Sequence, residues 1–297
     1  MKSLLLAIAL LLQTPGEPFE PFTFVQMSDP QIGFFDRSAG YTQSDSLFKA
    51  AVDQVNALSP ALVVMTGDLV NTPGDAVQDS IYRVRAAEIK APLYVIPGNH
   101  DIMGFTREKQ ADFIAKRGYD HFSFREHGCA FIGIDTNCIK DGATDAEAEA
   151  EQWAWLEQEL AAAQECKYTF VFVHCPVIRE SMDEPEDNSN FSMDQRQRYI
   201  GLFKKYGVDV VFAGHTHQEY DATVDGIRFF TAGPVGNALG HGKPGYAVVK
   251  VDANGIDASY VPTPGVKPRR MGPPPGGRPG GRPDGRPDGM PPFGQRP

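Results

Sequence analysis

Five short groups of residues stand out for the chemistry their side chains can do together: Asp29-Pro30-Gln31, Gly67-Asp68, Gly98-Asn99-His100-Asp101, His174 and Gly214-His215-Thr216-His217. Carboxylates, imidazoles and carboxamides are the donors that divalent cations take. Two such cations about 3.5–4 Å apart neutralise phosphoryl oxygens and make a hydroxide available near neutral pH, and a carboxylate between them holds the pair together. Singly, each residue has an ordinary explanation: Asp68 as a helix cap, Asn99 as a turn former, His174 as a satisfied histidine near the surface, His215-Thr216-His217 as a polar loop. Together they are harder to dismiss, since four of the seven histidines fall in these groups.

Such chemistry needs elements that bring the groups to one place. Apolar, β-branched runs at 22–27 and 61–65 predict buried strands that stop at Asp29 and Asp68. Helical spacing over 44–58 and 75–89, and a strand over 92–96 before Gly98, complete a β-α-β-α-β order. Parallel strands joined by helices gather ligand-binding loops at their C-terminal ends, where the first three groups lie. A helix is predicted over 106–116, paired strands over 122–124 and 130–134, and a helix over 145–164 capped by Thr144 or Asp145. The pattern then repeats, with strands over 168–173 and 208–212 ending at His174 and His215 around a helix over 195–206. From 219 to 261, short strands at 227–231, 246–251 and 259–261 leave no room for helices. They predict a mostly antiparallel second sheet packed on the first.

In kind and order these groups resemble the calcineurin-like metallophosphoesterase superfamily, whose boxes run Asp-x-His, Gly-Asp, Gly-Asn-His-Asp or -Glu, a lone His, and Gly-His-x-His; the likeness spans residues 22–262. It implies an α/β fold, a four-layer α/β/β/α sandwich of two mixed sheets, with a dinuclear centre at the strand ends. Carried over, the first metal takes Asp29, Asp68 and His217, with Gln31 where the family has histidine. The second takes Asp68, Asn99, His174 and His215. Asp68 bridges the two ions together with a water or hydroxide that attacks phosphorus in line. His100 stabilises the transition state or protonates the leaving group, and Asp101 orients its imidazole.

Gln31 is the departure. An amide oxygen is a weaker ligand than imidazole for most first-row ions, so the first position binds more loosely, prefers a harder ion or uses water there, or Gln31 stays off the metal. Asp-Pro-Gln also resembles one subgroup of the superfamily, which includes a eukaryotic protein serine/threonine phosphatase, and this favours phosphomonoesters. Purple acid phosphatases resemble the layout too, but carry tyrosine where this chain has Asn71. A charge-transfer ferric site is therefore not expected, and Mn²⁺, Fe²⁺ and Zn²⁺ stay open.

The rest of the chain sets limits. Net charge is −10, but the segment from Thr263 carries seven Lys or Arg against Asp284 and Asp288, so the body is more acidic still. An acidic body argues against a broad nucleic-acid face, while a local cationic site still captures phosphate. Lys2 followed by the apolar run 4–12 reads as an export signal, too short to span a bilayer, within residues 1–18. The folded domain is expected over 19–262. The Pro/Gly/Arg-rich tail 263–297 is expected to be a solvated spacer or a weak contact to anionic surfaces.

Cys129, Cys138, Cys166 and Cys175 read as small core residues, with Cys129 and Cys138 the nearest pair for a disulfide. Trp153 and Trp155 read as helix packing, His127 as an exposed turn residue, His121 as lying near a strand start and His241 as an ordinary loop histidine or part of the site mouth. The acidic stretch 180–190 reads as a flexible lid or a solvated loop. The expected activity is an exported metal-dependent phosphomonoesterase. Its alternatives are a phosphodiesterase or nucleotide hydrolase on the same fold, or a catalytically weak protein that binds phosphorylated ligands.

Overall fold

Alternation along the strands explains the layers. In a computed structural model that describes residues 19–140, 145–240 and 242–263, β1 (Phe22–Met27) points Phe22 and Phe24 one way and Val25 and Met27 the other. All four are buried, so this strand has a core on both faces. The same holds for β2 (Val63–Thr66), which follows α1 (Thr42–Leu58): Val64 faces one core cluster, Val63 and Met65 another. Next come α2 (Ala76–Ala87), β3 (Leu93–Ile96), the single turn α3 (Asn99–Ile102) and α4 (Arg107–Arg117). Strands β1, β2 and β3 are parallel, as their helical connections require.

The second half runs β4 (Phe122–Glu126), β5 (Cys129–Gly133), the turn α5 (Asn137–Lys140), α6 (Ala146–Ala162), β6 (Tyr168–Phe172), α7 (Met193–Lys205) and β7 (Val210–Ala213). Then follow β8 (Tyr220–Val224), β9 (Ile227–Thr231), β10 (Gly245–Asp252) and β11 (Gly255–Pro262). One sheet has the order β11-β10-β1-β2-β3, the other β4-β5-β6-β7-β9-β8. Between them lies a phenylalanine-rich core that includes Phe24, Phe131, Phe170, Phe172 and Phe212. Two outer cores pack α1 and α2 on the first sheet and α6 and α7 on the second. Both sheets are mixed, and the α/β/β/α layering expected from the resemblance is the observed one.

The C-terminal third departs from its expectation of a separate antiparallel sheet. Asp225 and Gly226, both at positive φ, turn β8 tightly into β9, which leaves β9 parallel to β7 as an extension of the second sheet. The β10–β11 hairpin instead returns to the first sheet, antiparallel to β1. Apolar alternation shows that a strand is half-buried or buried but not which neighbour it pairs with, and β8, whose burial alternates between half-buried and exposed, carries no fully buried face that would mark it in the sequence. Asp145 is the cap of α6, accepting the amides of Glu147 and Ala148. Thr144, His241 and the segments 1–18 and 264–297, on which the export and tail expectations fall, lie outside the described residues.

Cys129 and Cys138 are buried in different core clusters and are not joined. Trp153 packs edge-on against Tyr199, and Trp155 against His121. His127 is exposed at positive φ and stacks on Phe22.

His121 makes a pair that sequence reading did not anticipate. Its Nδ1 lies 2.7 Å from Oδ1 of the buried Asp120, whose Oδ2 accepts from Gln110 Nε2 at 2.6 Å. The Asp120 bond raises the His121 imidazole above its ordinary value despite burial. Burial pushes the Asp120 carboxyl up, but the His121 and Gln110 bonds outweigh it and hold it low. A raised folded-state histidine stabilises the protein below its unfolded value, about pH 6.5, and loses that contribution as pH rises through the folded value. His121→Asn is therefore expected to lower Tm most near pH 6 and progressively less towards pH 9, above a constant loss from the Trp155 contact. A Tm deficit that grows with pH, measured by thermal denaturation, would contradict this.

Candidate metal centre

The residues singled out from the sequence sit in a strained backbone. Of the eleven non-glycine residues at positive φ among the described residues, five are Asp29, Gln31, Asp68, His215 and His217. A left-handed conformation at such residues costs about 1–3 kcal/mol each, and clustering of this kind marks functional sites. The strain comes with close approach. An added Cβ at Gly98 would strike the Asp68 carboxylate and backbone, and one at Gly214 would strike the Ser28 hydroxyl. Gly98 itself has φ −103° and ψ 177°, open to any residue, so space alone demands glycine there. Gly98→Ala is expected to destabilise the fold by about 1–3 kcal/mol and to displace Asp68. Urea titration together with turnover tests this, and an active variant of unchanged stability would refute it.

Both sheets aim at this place. Asp29 and Asp68 follow β1 and β2 and Asn99 follows β3, while His174 follows β6 and His215 and His217 follow β7. Their ligand atoms form two groups, each with members within 4.8 Å of one another: Asp29, Asp68 and His217, and Asp68, His174 and His215. Asp68 belongs to both. Its Oδ1 lies 3.3 Å from His174 Nε2, which in turn lies 3.0 Å from Asn99 Oδ1 and 3.2 Å from His215 Nδ1. On the other side, Asp29 Oδ1 lies 3.6 Å from His217 Nε2, while its Oδ2 accepts the His215 amide at 3.0 Å.

Each imidazole in these groups is fixed through its other nitrogen by a backbone carbonyl. His174 Nδ1 meets Thr66 O at 2.7 Å, His215 Nε2 meets Asn188 O at 2.9 Å, and His217 Nδ1 meets Asn237 O at 2.7 Å. A carbonyl only accepts, so those nitrogens carry the hydrogens, and in the neutral rings His174 Nε2, His215 Nδ1 and His217 Nε2 offer a lone pair to a cation, which displaces any second proton. No side-chain pattern signalled these carbonyls, because any residue type can supply one. Asp29 Oδ1 and Gln31 Oε1 are buried acceptors with no hydrogen-bond partner. Such orphans are expensive unless a cation satisfies them, so the donor set fits divalent metal.

Gln31 is buried, its Nε2 3.5 Å from Asn71 Oδ1, which leaves Oε1 as its donor atom. Asp101 corrects an expectation. Rather than orienting His100, its carboxylate accepts the amides of Leu69, Val70 and Gly98 and so ties the second box to the third. His100 is oriented instead by Asn71 O, 3.0 Å from Nδ1, and its own amide donates to Asp68 Oδ1 at 2.8 Å. The reason is local: with Asp101 at the end of the first turn of α3, its side chain reaches back to the amide of Gly98 as a capping box does. Phe34 packs against His217, with ring centroids 4.8 Å apart, and closes one side of the site.

The field of the site calls for positive charge. Burial works against ionising Asp68, but the His174 charge and hydrogen bond, with His100 and His215 nearby, hold its carboxyl well below the usual range. Against burial, the Asp68 carboxylate raises His174 far above an ordinary histidine. His215 is lowered, first by burial and then by the His174 charge. Asp101 is raised by burial and by the neighbouring Asp68.

The acidic 180–190 segment is not a loose flap. Buried Glu184 accepts the amides of Arg179, Glu180 and Ser181 and the Asn190 side chain. Fully buried Arg196 donates to the carbonyls of Phe191, Met182, Glu184 and Pro185. Asp187 is held by Arg179 at 3.0 Å. The segment thus contributes the Asn188 carbonyl that fixes His215, and a cavity of about 300 Å³ opens between it, Asn99, His174 and the α5 turn.

Comparison with known proteins places the chain in a family. Residues 22–219 match the family model described as calcineurin-like phosphoesterase. The chain is 31% identical over 260 residues to the serine/threonine-protein phosphatase CPPED1 of Rattus norvegicus, covering 81% of this chain and 83% of that one. It is 29% identical over 202 residues to a probable glycerophosphodiester phosphodiesterase GpdQ of Arcobacter nitrofigilis, covering 65% and 71%. A dimetal phosphatase from Danio rerio shares the fold at a TM-score of 0.64 and 15% identity, over 82% of this chain and 96% of that one. With the family model matching most of the described chain, this protein belongs to the calcineurin-like phosphoesterases, metal-dependent hydrolases of phosphoester bonds.

Proposed function

We propose that the protein is a phosphomonoesterase working at a dinuclear centre, a reading carried by the two ligand groups that share Asp68. Asp29, Asp68 and His217 would hold one ion with Gln31 Oε1 beside it, and Asp68, Asn99, His174 and His215 the other. Divalent ions there supply Lewis-acid charge to the phosphoryl oxygens and lower the pKa of a water molecule. Three backbone carbonyls keep the imidazoles in the tautomer that binds, so little reorganisation is needed when substrate arrives. Asn71 O fixes Nδ1 of His100 and leaves Nε2 as the ring's other proton site, the one that would donate to the leaving oxygen.

The serine/threonine-protein phosphatase relative supports a monoester, and the phosphodiesterase relative keeps a diester as the second reading. A protein that only binds phosphorylated ligands fits less well, because buried orphan acceptors and fixed imidazole tautomers serve a metal rather than a phosphate. Turnover of p-nitrophenyl phosphate, bis-p-nitrophenyl phosphate, nucleotides and phosphopeptides by Mn²⁺-loaded protein tests the proposal. Monoesters are expected to lead. Faster turnover of the diester would replace the first reading with the second, and binding without turnover of any ester would overturn both.

A further inference from the structure

The cavity beside the second ligand group has a wall that the proposal above leaves idle. Its lining includes Asn99, His174 and His215, and also Asn137, Lys140 and Asn188. An ester whose phosphoryl group meets the first three has room for the rest of its leaving group among the others. The wall is built to hold its shape. Oδ1 of buried Asp135 accepts both the Asn137 amide at 2.8 Å and Asn137 Nδ2 at 2.7 Å, and Gln152 bonds both the N–H and the carbonyl of Asp135 at 2.8 Å. Gln195 Nε2 ties the same turn to α7 through Ile139 O at 3.0 Å.

Lys140 ends this turn. Its side chain is only 17% exposed, yet its ion-pair partner, Glu186 of the 180–190 segment, is 54% exposed and stands 3.5 Å away. The ammonium thus already receives a carboxylate, one that is itself half-exposed. Because Glu186 is half-exposed, it can return to water when an incoming anion takes its place on Lys140, at small cost to the fold. Lys140 itself is little exposed, so a carboxylate that meets it there is partly screened from water, which strengthens the contact. Asn137 has committed its Nδ2 to Asp135, which leaves Oδ1 for a hydroxyl or amine on the same ligand. Of the neighbouring acids, Asp187 is paired with Arg179 although it also feels the Lys140 charge, and Glu184 is turned inward, so Glu186 is the one an incoming anion displaces.

We propose that Lys140 anchors a carboxylate on the leaving group, so that the preferred substrates are phosphomonoesters of small hydroxy acids and hydroxyl-bearing amino acids. This rests on the phosphomonoesterase reading and deepens it. The test compares 3-phosphoglycerate with glycerol 3-phosphate, which differ at a carboxylate, on Mn²⁺-loaded full-length protein. The expected kcat/KM ratio is about tenfold in favour of the carboxylate, carried by KM. In Lys140→Met the ratio should fall to within about twofold of one, again through KM, and in Glu186→Gln, which removes the internal competitor, it should widen. A native ratio near one, or a ratio that survives Lys140→Met, overturns the inference. If neither ester is turned over, turnover of p-nitrophenyl phosphate and phosphopeptides decides whether the phosphomonoesterase reading stands, and the Kd ratio of the two compounds by calorimetry, in native protein and in Lys140→Met, decides the inference by the same criteria.

Discussion

Asp68→Ala is expected to empty both proposed metal positions at once and to lower turnover by at least about a thousandfold, the equivalent of several kcal/mol of charge stabilisation in the transition state. No other described residue belongs to both ligand groups. Replacing Asp29 or His217 should weaken chiefly the first position, and replacing His174 or His215 chiefly the second. Asp68 also accepts the His100 amide, so its loss releases the turn that carries His100. Metal content by mass spectrometry, measured on folded protein alongside kcat, is the direct check. A variant that keeps native metal stoichiometry would remove Asp68 from the bridging role, whatever its activity.

His100→Ala should separate metal binding from chemistry. Among the described residues its imidazole belongs to neither ligand group, its Nδ1 being held by Asn71 O and its ring meeting Phe34 edge-on, so metal content is expected to stay at the native level while kcat falls by about 10²–10⁴-fold. The size of the fall should depend on the leaving group. An alkyl phosphate needs a proton on its departing oxygen and should lose the most, whereas p-nitrophenolate departs without one and should lose much less. Equal losses on both esters would mean that His100 stabilises phosphoryl charge rather than transferring a proton. Equal activity of the variant and the native protein would exclude either role.

How much of this was legible beforehand differs from residue to residue. Asp29, Asp68, Asn99, His174, His215 and His217 were visible because each follows an apolar run, and strand C-terminal ends converge when strands are parallel. The sheet assignment of β8 to β11 was not, since pairing partners are a long-range property that period-2 alternation does not encode. Nor was the orientation of the imidazoles, which comes from Thr66, Asn71, Asn188 and Asn237 acting through backbone carbonyls that every sequence contains. Asp101 shows a third kind of miss. Its residue type suited a partner for the adjacent His100, but the nearest unpaired groups were the amides of Leu69, Val70 and Gly98.

The sharing of ligands between the sheets has a mechanical side. Asp29 and Asp68 leave the first sheet, and His174, His215 and His217 leave the second, so each ligand group draws members from both. The phenylalanine core that holds the sheets together is non-directional and tolerates small sliding, whereas coordination bonds tolerate almost none. Ions in these two positions would act as rivets at one edge of a greasy seam. They would set the registration of one sheet against the other, and ion supply would then govern stiffness as well as reactivity.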